Sequence, residues 1–296
     1  MYYFIAIGIG ALISLLVTAN GGLAESFGSY SATVAIHIIG LLAASVIVAA
    51  RRQRLIPRQK ITLLFYLGGA VGVGTTLFNN LAFGFVSISA LLALSLFGQT
   101  CTSLIVDQFG LLGMPKRPLR RAAVPGLLFA IGGIFCLIWP FQWHAVPAVL
   151  LGMLTGVTIV VARTINARLS ESVGIWASTW WNFAVGLGLA LCLLPLLGRG
   201  EPLLTGTLSL PLWFYWTGGI IGLVTVALSS VVVVKLPAFH VTLCMFAGQL
   251  GAGLLLDAVR SGSFSLQSCI GCLCAGIGIL LTQRAGASAP AAKETP

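Results

Sequence analysis

Long apolar runs, separated by short polar segments, dominate the sequence. A helix needs about 20 apolar residues to cross the hydrocarbon core of a bilayer. Ten runs of about this length can be placed, near residues 2–22, 30–50, 62–83, 88–108, 122–141, 145–165, 174–197, 211–233, 238–257 and 266–283. The runs are continuous rather than alternating, which favours helices over the strands of an outer-membrane barrel. The pattern predicts an all-α integral membrane protein with ten transmembrane helices.

Composition and charge support this class and orient the chain. The sequence is 58% hydrophobic and 7% charged, whereas soluble domains are about 25% charged. The net charge of +10 comes from cations between the apolar runs, so we expect no nucleic-acid partner. With a cytoplasmic N-terminus, 14 of the 16 Lys and Arg residues fall in cytoplasmic segments, Arg163 and Arg168 among them. The positive-inside rule then predicts a multi-pass membrane protein with both termini cytoplasmic.

The two halves of the chain repeat one pattern. Residues 68–107 and 218–257 align without gaps and share eight identities, which include Gly98, Gln99 and Asp107 with Gly248, Gln249 and Asp257. A second block, shifted by 146, matches Asn20, Leu23, Glu25, Ser26, Gly28 and Gly40 with Asn166, Leu169, Glu171, Ser172, Gly174 and Gly186. We therefore expect a first five-helix repeat over 1–141, a second over 142–284, and a disordered cytoplasmic tail over 285–296. Because five is odd, the second repeat enters the membrane from the opposite side and the repeats are inverted.

Inverted repeats place a substrate site near the midplane, where the halves meet. Polar side chains inside a membrane face the protein interior, so the predicted substrate-binding residues are Asn20, Asn79, Gln99, Asn166, Ser229 and Gln249. For Gln99 and Gln249, an interhelical hydrogen bond is the alternative. Asp107 and Asp257 fall at span ends. They are candidates for proton or cation coupling, with helix capping or pairing with loop cations as the structural alternative.

Other conspicuous residues favour structural roles. Trp176, Trp180 and Trp181 open the seventh run, which is typical of an interfacial aromatic belt; stacking on a substrate ring or cation is the alternative. The segment CIGCLC (269–274) has a metal-like spacing but no neighbouring His or carboxylate, and Cys is a common small apolar residue in helices. We expect no metal and no cofactor. The sequence contains no Gly-x4-Gly-Lys-Ser/Thr loop, so ATP hydrolysis by this chain is not expected.

Three segments carry a family resemblance. They are GGAVGVG (68–74), FGQTCTSLIVDQFGLLGMPKRPL (97–119) and AVPGLLFAIGGI (123–134), and they resemble the YdcZ family, also called DUF606, of the drug/metabolite transporter superfamily. Typical members look like one half of this chain, so the sequence resembles a fused tandem pair. The second half keeps Gly-Gln and Asp but has AVRSGSFSLQS (258–268) in place of the basic loop. The equivalent loop would lie outside the cell, where a basic cluster is disfavoured.

The resemblance implies a ten-helix inverted-repeat fold, a cavity between the halves, and secondary active transport in the bacterial plasma (inner) membrane. The expected function is export of a small metabolite or organic compound by alternating access, with protons or cations as candidate coupling ions. One alternative is a membrane-embedded enzyme acting on lipid, which scattered carboxylates disfavour. The other is a non-transporting accessory membrane protein. We expect no enzyme activity, and a monomer or homodimer in the lipid bilayer.

Overall fold

The chain folds into a bundle of helices that match the predicted runs. The computed structural model describes residues 1–56, 61–111, 121–140, 143–201, 212–235, 238–262 and 265–287. The α-helices in these ranges are α1 (Tyr2–Phe27), α2 (Ser29–Ala50), α3 (Gly68–Ala82), α4 (Ile88–Phe109), α5 (Val124–Leu137), α6 (Val146–Val173), α7 (Ile175–Leu197), α8 (Leu212–Trp216), α9 (Gly218–Lys235), α10 (Ala238–Ser261) and α11 (Leu266–Ala287). The short α8 leads into α9, and a 3-10 turn over Leu63–Tyr66 leads into α3. Over the described residues, the prediction of an all-α fold is confirmed.

Five described helical segments are long and apolar enough to cross a membrane. They are Tyr2–Phe27, Ser29–Ala50, Ile88–Val106, Trp143–Val173 and Ile175–Leu197. Three shorter apolar helices cover Arg121–Leu137, Gly218–Ser229 and Leu266–Thr282. Since α3 has only 15 residues, the count of ten crossings stays a prediction. The predicted tail falls, from residue 288 onwards, outside the described residues.

Two single glycines connect neighbouring helices. Gly28 separates α1 from α2 with φ 90°, and Gly174 separates α6 from α7 with φ 83°. A side chain makes this backbone conformation costly, whereas glycine adopts it readily. These are equivalent positions under the 146-residue shift, so the same tight reversal is encoded twice.

Carboxylates and an arginine bridge helix termini at one end of the bundle, which we call the Glu25 end. The backbone N–H groups of Tyr30 and Ser31, in the first turn of α2, donate to Glu201 just after α7, at 2.9 and 2.8 Å. Arg260, near the end of α10, donates to Glu25 near the end of α1 at 2.6 Å. The ends of α1, α7 and α10 and the start of α2 therefore lie together.

At the opposite end of the bundle, which we call the Gln53 end, side chains donate hydrogen bonds to backbone carbonyls. Gln53, just after α2, donates to the carbonyl of Val173 at the end of α6, at 2.9 Å. Trp181 of α7 donates to the carbonyl of Leu55 at 2.8 Å and lies edge-on to Tyr66, with ring centroids 4.9 Å apart. Thus α2 and α7 each connect the two ends and run antiparallel.

Small residues bring helices of the two halves into close contact. Gly10 and Gly248 lie at the contact of α1 with α10, and Gly98 and Gly156 at the contact of α4 with α6. A Cβ on any of these four would overlap the backbone of the partner helix. Contacts of this kind allow close packing in lipid, where apolar area alone does not drive helix association. Each half therefore places one helix against the other half.

A second small-residue contact joins α5 to α11. Gly126 and Gly133 of α5 and Gly278 of α11 each lie against the backbone of the facing helix. Near the Glu25 end, the Gln267 amide of α11 donates to the carbonyls of Cys136 and Trp139, at 2.7 and 2.6 Å. The two helices therefore form an antiparallel pair at the side of the bundle.

The core lies around the first half of α4. Every residue from Ile88 to Gly98 is buried, packed among side chains of α1, α5, α6, α10 and α11. Farther along the same helix, Ser103, Ile105 and Phe109 are exposed. The first half of α4, near the Glu25 end, is thus enclosed by its neighbours, whereas its second half is partly exposed toward the Gln53 end.

The structure corrects the position of two cations. The sequence analysis assigned Arg163 and Arg168 to a cytoplasmic loop, but α6 continues to Val173. Arg163 therefore lies about three turns inside the helix. The apolar run weakens at this arginine, yet the helix continues because neither glycine nor proline interrupts it before Gly174.

Candidate functional site

Gln99 and Arg163 meet between α4 and α6. Gly156 packs against the backbone of α4 at Ser95 and Gln99, and Arg163 lies two turns farther on the same face of α6. Its Nη2 donates to Gln99 Oε1 at 3.4 Å, a long hydrogen bond. Gln99 is half-buried and Arg163 is exposed. The structure therefore pairs one predicted substrate-binding residue with a cation that sequence reasoning had assigned to a loop.

The exposed face continues toward the Gln53 end. Ser103 lies one turn beyond Gln99 on α4, and Ala167 one turn beyond Arg163 on α6; both are exposed. Because α4 and α6 are in backbone contact at Gly156, exposure of these positions means that the two helices do not cover each other here, on the Gln53 side of that contact. We call the space bounded by Gln99, Ser103, Arg163 and Ala167 the Arg163 crevice.

Asn166 belongs to a neighbouring polar group. Its Nδ2 donates to Asn182 Oδ1 of α7 at 2.7 Å, and its own Oδ1 lies against Gly68 of α3. Asn166 is half-buried. This amide pair joins α6 to α7 at the point where α3 begins, and it faces α3 rather than the Arg163 crevice.

Asn20 occupies the matching position in the first half. It is buried, and its Oδ1 lies against Gly218 of α9. This oxygen has no hydrogen-bond partner in the described part of the chain. Asn182, which accepts the bond from Asn166, corresponds under the repeat to Ile36, whose apolar side chain cannot accept one. The two asparagines therefore share a packing position but differ in hydrogen bonding.

The remaining predicted wall residues lie on other helices, α3, α9 and α10. Gln249 is 5% exposed, and its backbone carbonyl accepts a 2.7 Å bond from the Ser14 hydroxyl of α1. Asn79 and Ser229 are half-buried on α3 and α9. Asn80 is the more buried of its pair, and its Nδ2 donates to Thr33 at 3.4 Å. Of the six predicted residues, only Gln99 lies at the Arg163 crevice.

Asp257 caps a helix. Its two carboxylate oxygens accept bonds from the backbone N–H groups of Ile88 and Ser89, at 2.6 and 2.8 Å. Ser87, the N-cap residue of α4, accepts a bond from the Ala90 N–H at 3.1 Å. This geometry matches the capping alternative, while a coupling role for Asp257 stays a prediction. The side chain of Asp107 lies outside the described residues.

A cavity of about 590 Å³ opens beside Asp257 at the Glu25 end. Its lining includes Ser87, Asp257, Ser265 and Ser268, together with Arg260. The Arg260 guanidinium carbon lies 4.7 Å from the centroid of the Phe83 ring. This ring also lies against Gly21 of α1, so Phe83 fills the space between α1 and the cavity.

The aromatic and histidine side chains have protein partners. Trp180 donates to the Ser45 hydroxyl at 2.8 Å, and the Arg51 guanidinium carbon lies 5.3 Å from the Trp176 ring centroid. These contacts, at the Gln53 end, match the expected position at a helix terminus. Buried His37 lies 2.8 Å from the Thr33 carbonyl through Nδ1 and contacts the edge of Phe183. Neither His37 nor these tryptophans is assigned to the site.

Sequence reasoning missed Arg163, Asn182 and Ser14. A detectable signal existed for Arg163, because it follows Gly156 by seven residues, which places both on one face of an uninterrupted helix. No comparable signal identified Ser14, whose partner is a backbone carbonyl 235 residues away.

The chain is similar to known proteins at the level of family and fold. A family model described as "Putative inner membrane exporter, YdcZ" matches residues 1–136 and 147–281, as expected of a fused tandem pair. The crystal structure of another protein is similar to this fold, with 18% sequence identity and a TM-score of 0.62. That match covers 97% of this chain and 96% of the other, and at this identity it shows the fold alone. No curated protein matches the chain.

Proposed function

The chain belongs to the YdcZ family, and from this premise we propose that it is a secondary transporter that moves a small metabolite or organic compound across the inner membrane by alternating access. In this proposal, residues 1–141 and 142–284 are inverted five-helix repeats. Both termini are cytoplasmic, and the Gln53 end faces the cytoplasm. The family description favours export as the direction.

Reciprocal contacts support the inverted repeats. Gly68 lies against Asn166, and its counterpart Gly218 lies against Asn20. Similarly, α1 packs on α10 through glycines whose counterparts pack α6 on α4. Each contact joins the two halves and has a partner contact with the roles of the halves exchanged. A pseudo-two-fold axis between the halves would generate this pairing.

One observation carries the proposal of alternating access: equivalent positions are closed at one end and open at the other. Arg163 and Ala167 are exposed, whereas their counterparts Val17 and Gly21 are buried. Ser103 is exposed and its counterpart Gly253 is buried against Leu92. Two repeats of the same fold in different packing arrangements are the expected arrangement of a transporter open to one side.

The engagement of the carboxylates favours transport over catalysis. Glu201 and Asp257 each accept two backbone N–H bonds, at the starts of α2 and α4. Glu25 pairs with Arg260, and Glu171 pairs with Arg168. The described carboxylates thus hold helix ends or ion pairs, rather than gathering as an acid/base pair at one membrane face.

Reconstitution tests the proposal without a known substrate. Liposomes with and without the purified protein are incubated with an unfractionated bacterial small-molecule extract under an imposed pH gradient, washed, and analysed by mass spectrometry. We expect at least one solute to accumulate or deplete only with the protein and only with the gradient. Absence of any such solute refutes gradient-driven transport, and chemical turnover of liposome lipid in its place supports the enzyme alternative.

The coupling residues need a separate comparison. We expect Asp107→Asn or Asp257→Asn to abolish gradient-driven accumulation if that carboxylate carries the coupling ion. A variant that keeps full accumulation eliminates its residue from coupling.

A further inference from the structure

The two exposed faces of α6 differ in chemistry. Leu150, Leu154 and Val157 form an exposed apolar stripe at helical spacing, as expected of a surface against lipid acyl chains. Arg163 lies about 120° around the helix from Val157, because successive residues advance by about 100°. Arg163 is therefore exposed on the same face of α6 that contacts α4 at Gly156. The guanidinium faces a space between helices and not the lipid stripe.

Among the side chains that the structure describes, no carboxylate neutralises this guanidinium; that of Asp107, one turn beyond Ser103 on α4, is not among them. Glu25 and Glu171 pair with other arginines, and Glu201 and Asp257 lie at helix starts near the Glu25 end. Within the described part of the chain, Arg163 makes a 3.4 Å bond to the neutral Gln99 amide. An arginine within a membrane helix is costly without a partner or water and marks a functional path. An arginine side chain that is exposed between two helices of a transporter is suited to binding a ligand of opposite charge.

We propose that Arg163 and Gln99 form an anion-recognition site, and that the transported compound carries a carboxylate or phosphate group. This inference rests on the proposed function. The guanidinium presents several donors in a planar fork that matches either anion bidentately. Gln99 orients the fork through Oε1, and its amide NH2 adds a neutral donor. An organic cation is disfavoured at the same place.

Charged-reagent labelling tests the site without a known substrate. The reporter is Ser103→Cys, in a chain whose seven native cysteines are replaced by serine or alanine. Labelling rates are compared for sulfonatoethyl methanethiosulfonate, an anion, and trimethylammonium-ethyl methanethiosulfonate, a cation. We expect Arg163→Gln to lower the anion-to-cation rate ratio at least about fivefold, because one nearby positive charge acts oppositely on the two reagents.

The matched control is Arg168→Gln on the same helix, since Arg168 is already paired with Glu171 at 3.5 Å. This variant should leave the rate ratio unchanged. If Arg163→Gln leaves the anion-to-cation rate ratio unchanged, the proposal is overturned. A folded Ser103→Cys protein that neither reagent labels also overturns it, because the crevice is then not wet.

Ligand class is tested with three probes of defined charge: phenylacetate, inorganic phosphate and the size-matched cation phenethylammonium. We expect an anion to raise the thermal stability of the purified protein, with an apparent affinity weakened at least about tenfold by Arg163→Gln. Arg163→Lys should restore part of that affinity, because it keeps the charge and loses the fork. Stabilisation by the cation that survives Arg163→Gln overturns the proposal, and if no probe stabilises the protein, the labelling ratio decides alone.

A lipid phosphate is the other source of this anion. The same thermal measurement in nanodiscs of phosphatidylglycerol and of phosphatidylcholine separates the two. Arg163-dependent stabilisation by phosphatidylglycerol alone, with none by free anions, assigns the site to a lipid headgroup and overturns the transported anion. Failure of the proposed function looks different, since the labelling ratio then responds to Arg163 while no solute moves with the gradient.

Discussion

The cap on α4 offers the sharpest test of the geometry at the Glu25 end. The first N–H groups of a helix lack intrahelical partners. In α4, Asp257 serves those of Ile88 and Ser89 and Ser87 serves that of Ala90. Asp257→Asn keeps one acceptor oxygen but loses the charge, and Asp257→Ala loses both acceptors.

The expected cost follows from these bonds. A helix cap contributes about 0.5–2 kcal/mol, and a hydrogen bond to a charged group about 1.5–3 kcal/mol. Water from the adjoining cavity replaces part of the loss. We therefore expect the free energy of unfolding to fall by about 1 kcal/mol for Asp257→Asn and by about 2–3 kcal/mol for Asp257→Ala.

Unfolding in mixed micelles, titrated with a denaturing detergent, measures these differences. The matched control is Glu171→Gln, which breaks an exposed pair with side chains 37% and 66% exposed, so its cost should be below about 1 kcal/mol. If Asp257→Ala and Glu171→Gln unfold at the same concentration of denaturing detergent, the capping role is refuted. A variant that keeps its stability but loses gradient-driven transport shifts Asp257 to coupling.

Two further predictions concern the packing between the halves and the closed end. Gly68→Ala should lower the free energy of unfolding by about 1–3 kcal/mol, because the added Cβ overlaps the Asn166 amide. Gly72→Ala, one turn farther along α3, adds a Cβ with ordinary contacts and should be neutral or stabilising. Equal effects of the two substitutions in the micelle titration refute this packing. Glu25→Gln removes the ion pair at the Glu25 end and should favour opening there, so Ser103→Cys should be labelled more slowly from the Gln53 end; an unchanged rate refutes a gating role for the pair.

Much of the fold could be predicted because lipid imposes a strict length on each apolar run. The ten runs all correspond to helices, and family membership followed from the residues around Gly98 and Asp107. The helix ends were less predictable. In α6 the hydropathy pattern weakened at Arg163, while the backbone signal for termination, Gly174, lay farther on.

The candidate site was less predictable than the fold. Gln99 was found because the repeat isolates it in an apolar run. Its contact with Arg163 depends on how α4 lies against α6, and that packing is set by glycines that occur throughout the sequence. Likewise, the choice of Ile88 and Ser89 as partners for Asp257 follows from the meeting of α4 and α10, which no local pattern encodes.

The packing of α1 on α10 has a consequence for biosynthesis. Ser14 and its partner carbonyl at Gln249 are 235 residues apart, and a ribosome adding about 5–20 residues per second needs about 10–50 s to cover that separation. During this interval α10 has not yet been synthesised, so the glycine face of α1 contacts lipid or an insertion factor instead. Conversely, a chain truncated after the first half would leave that face vacant for a second copy inserted in the opposite orientation.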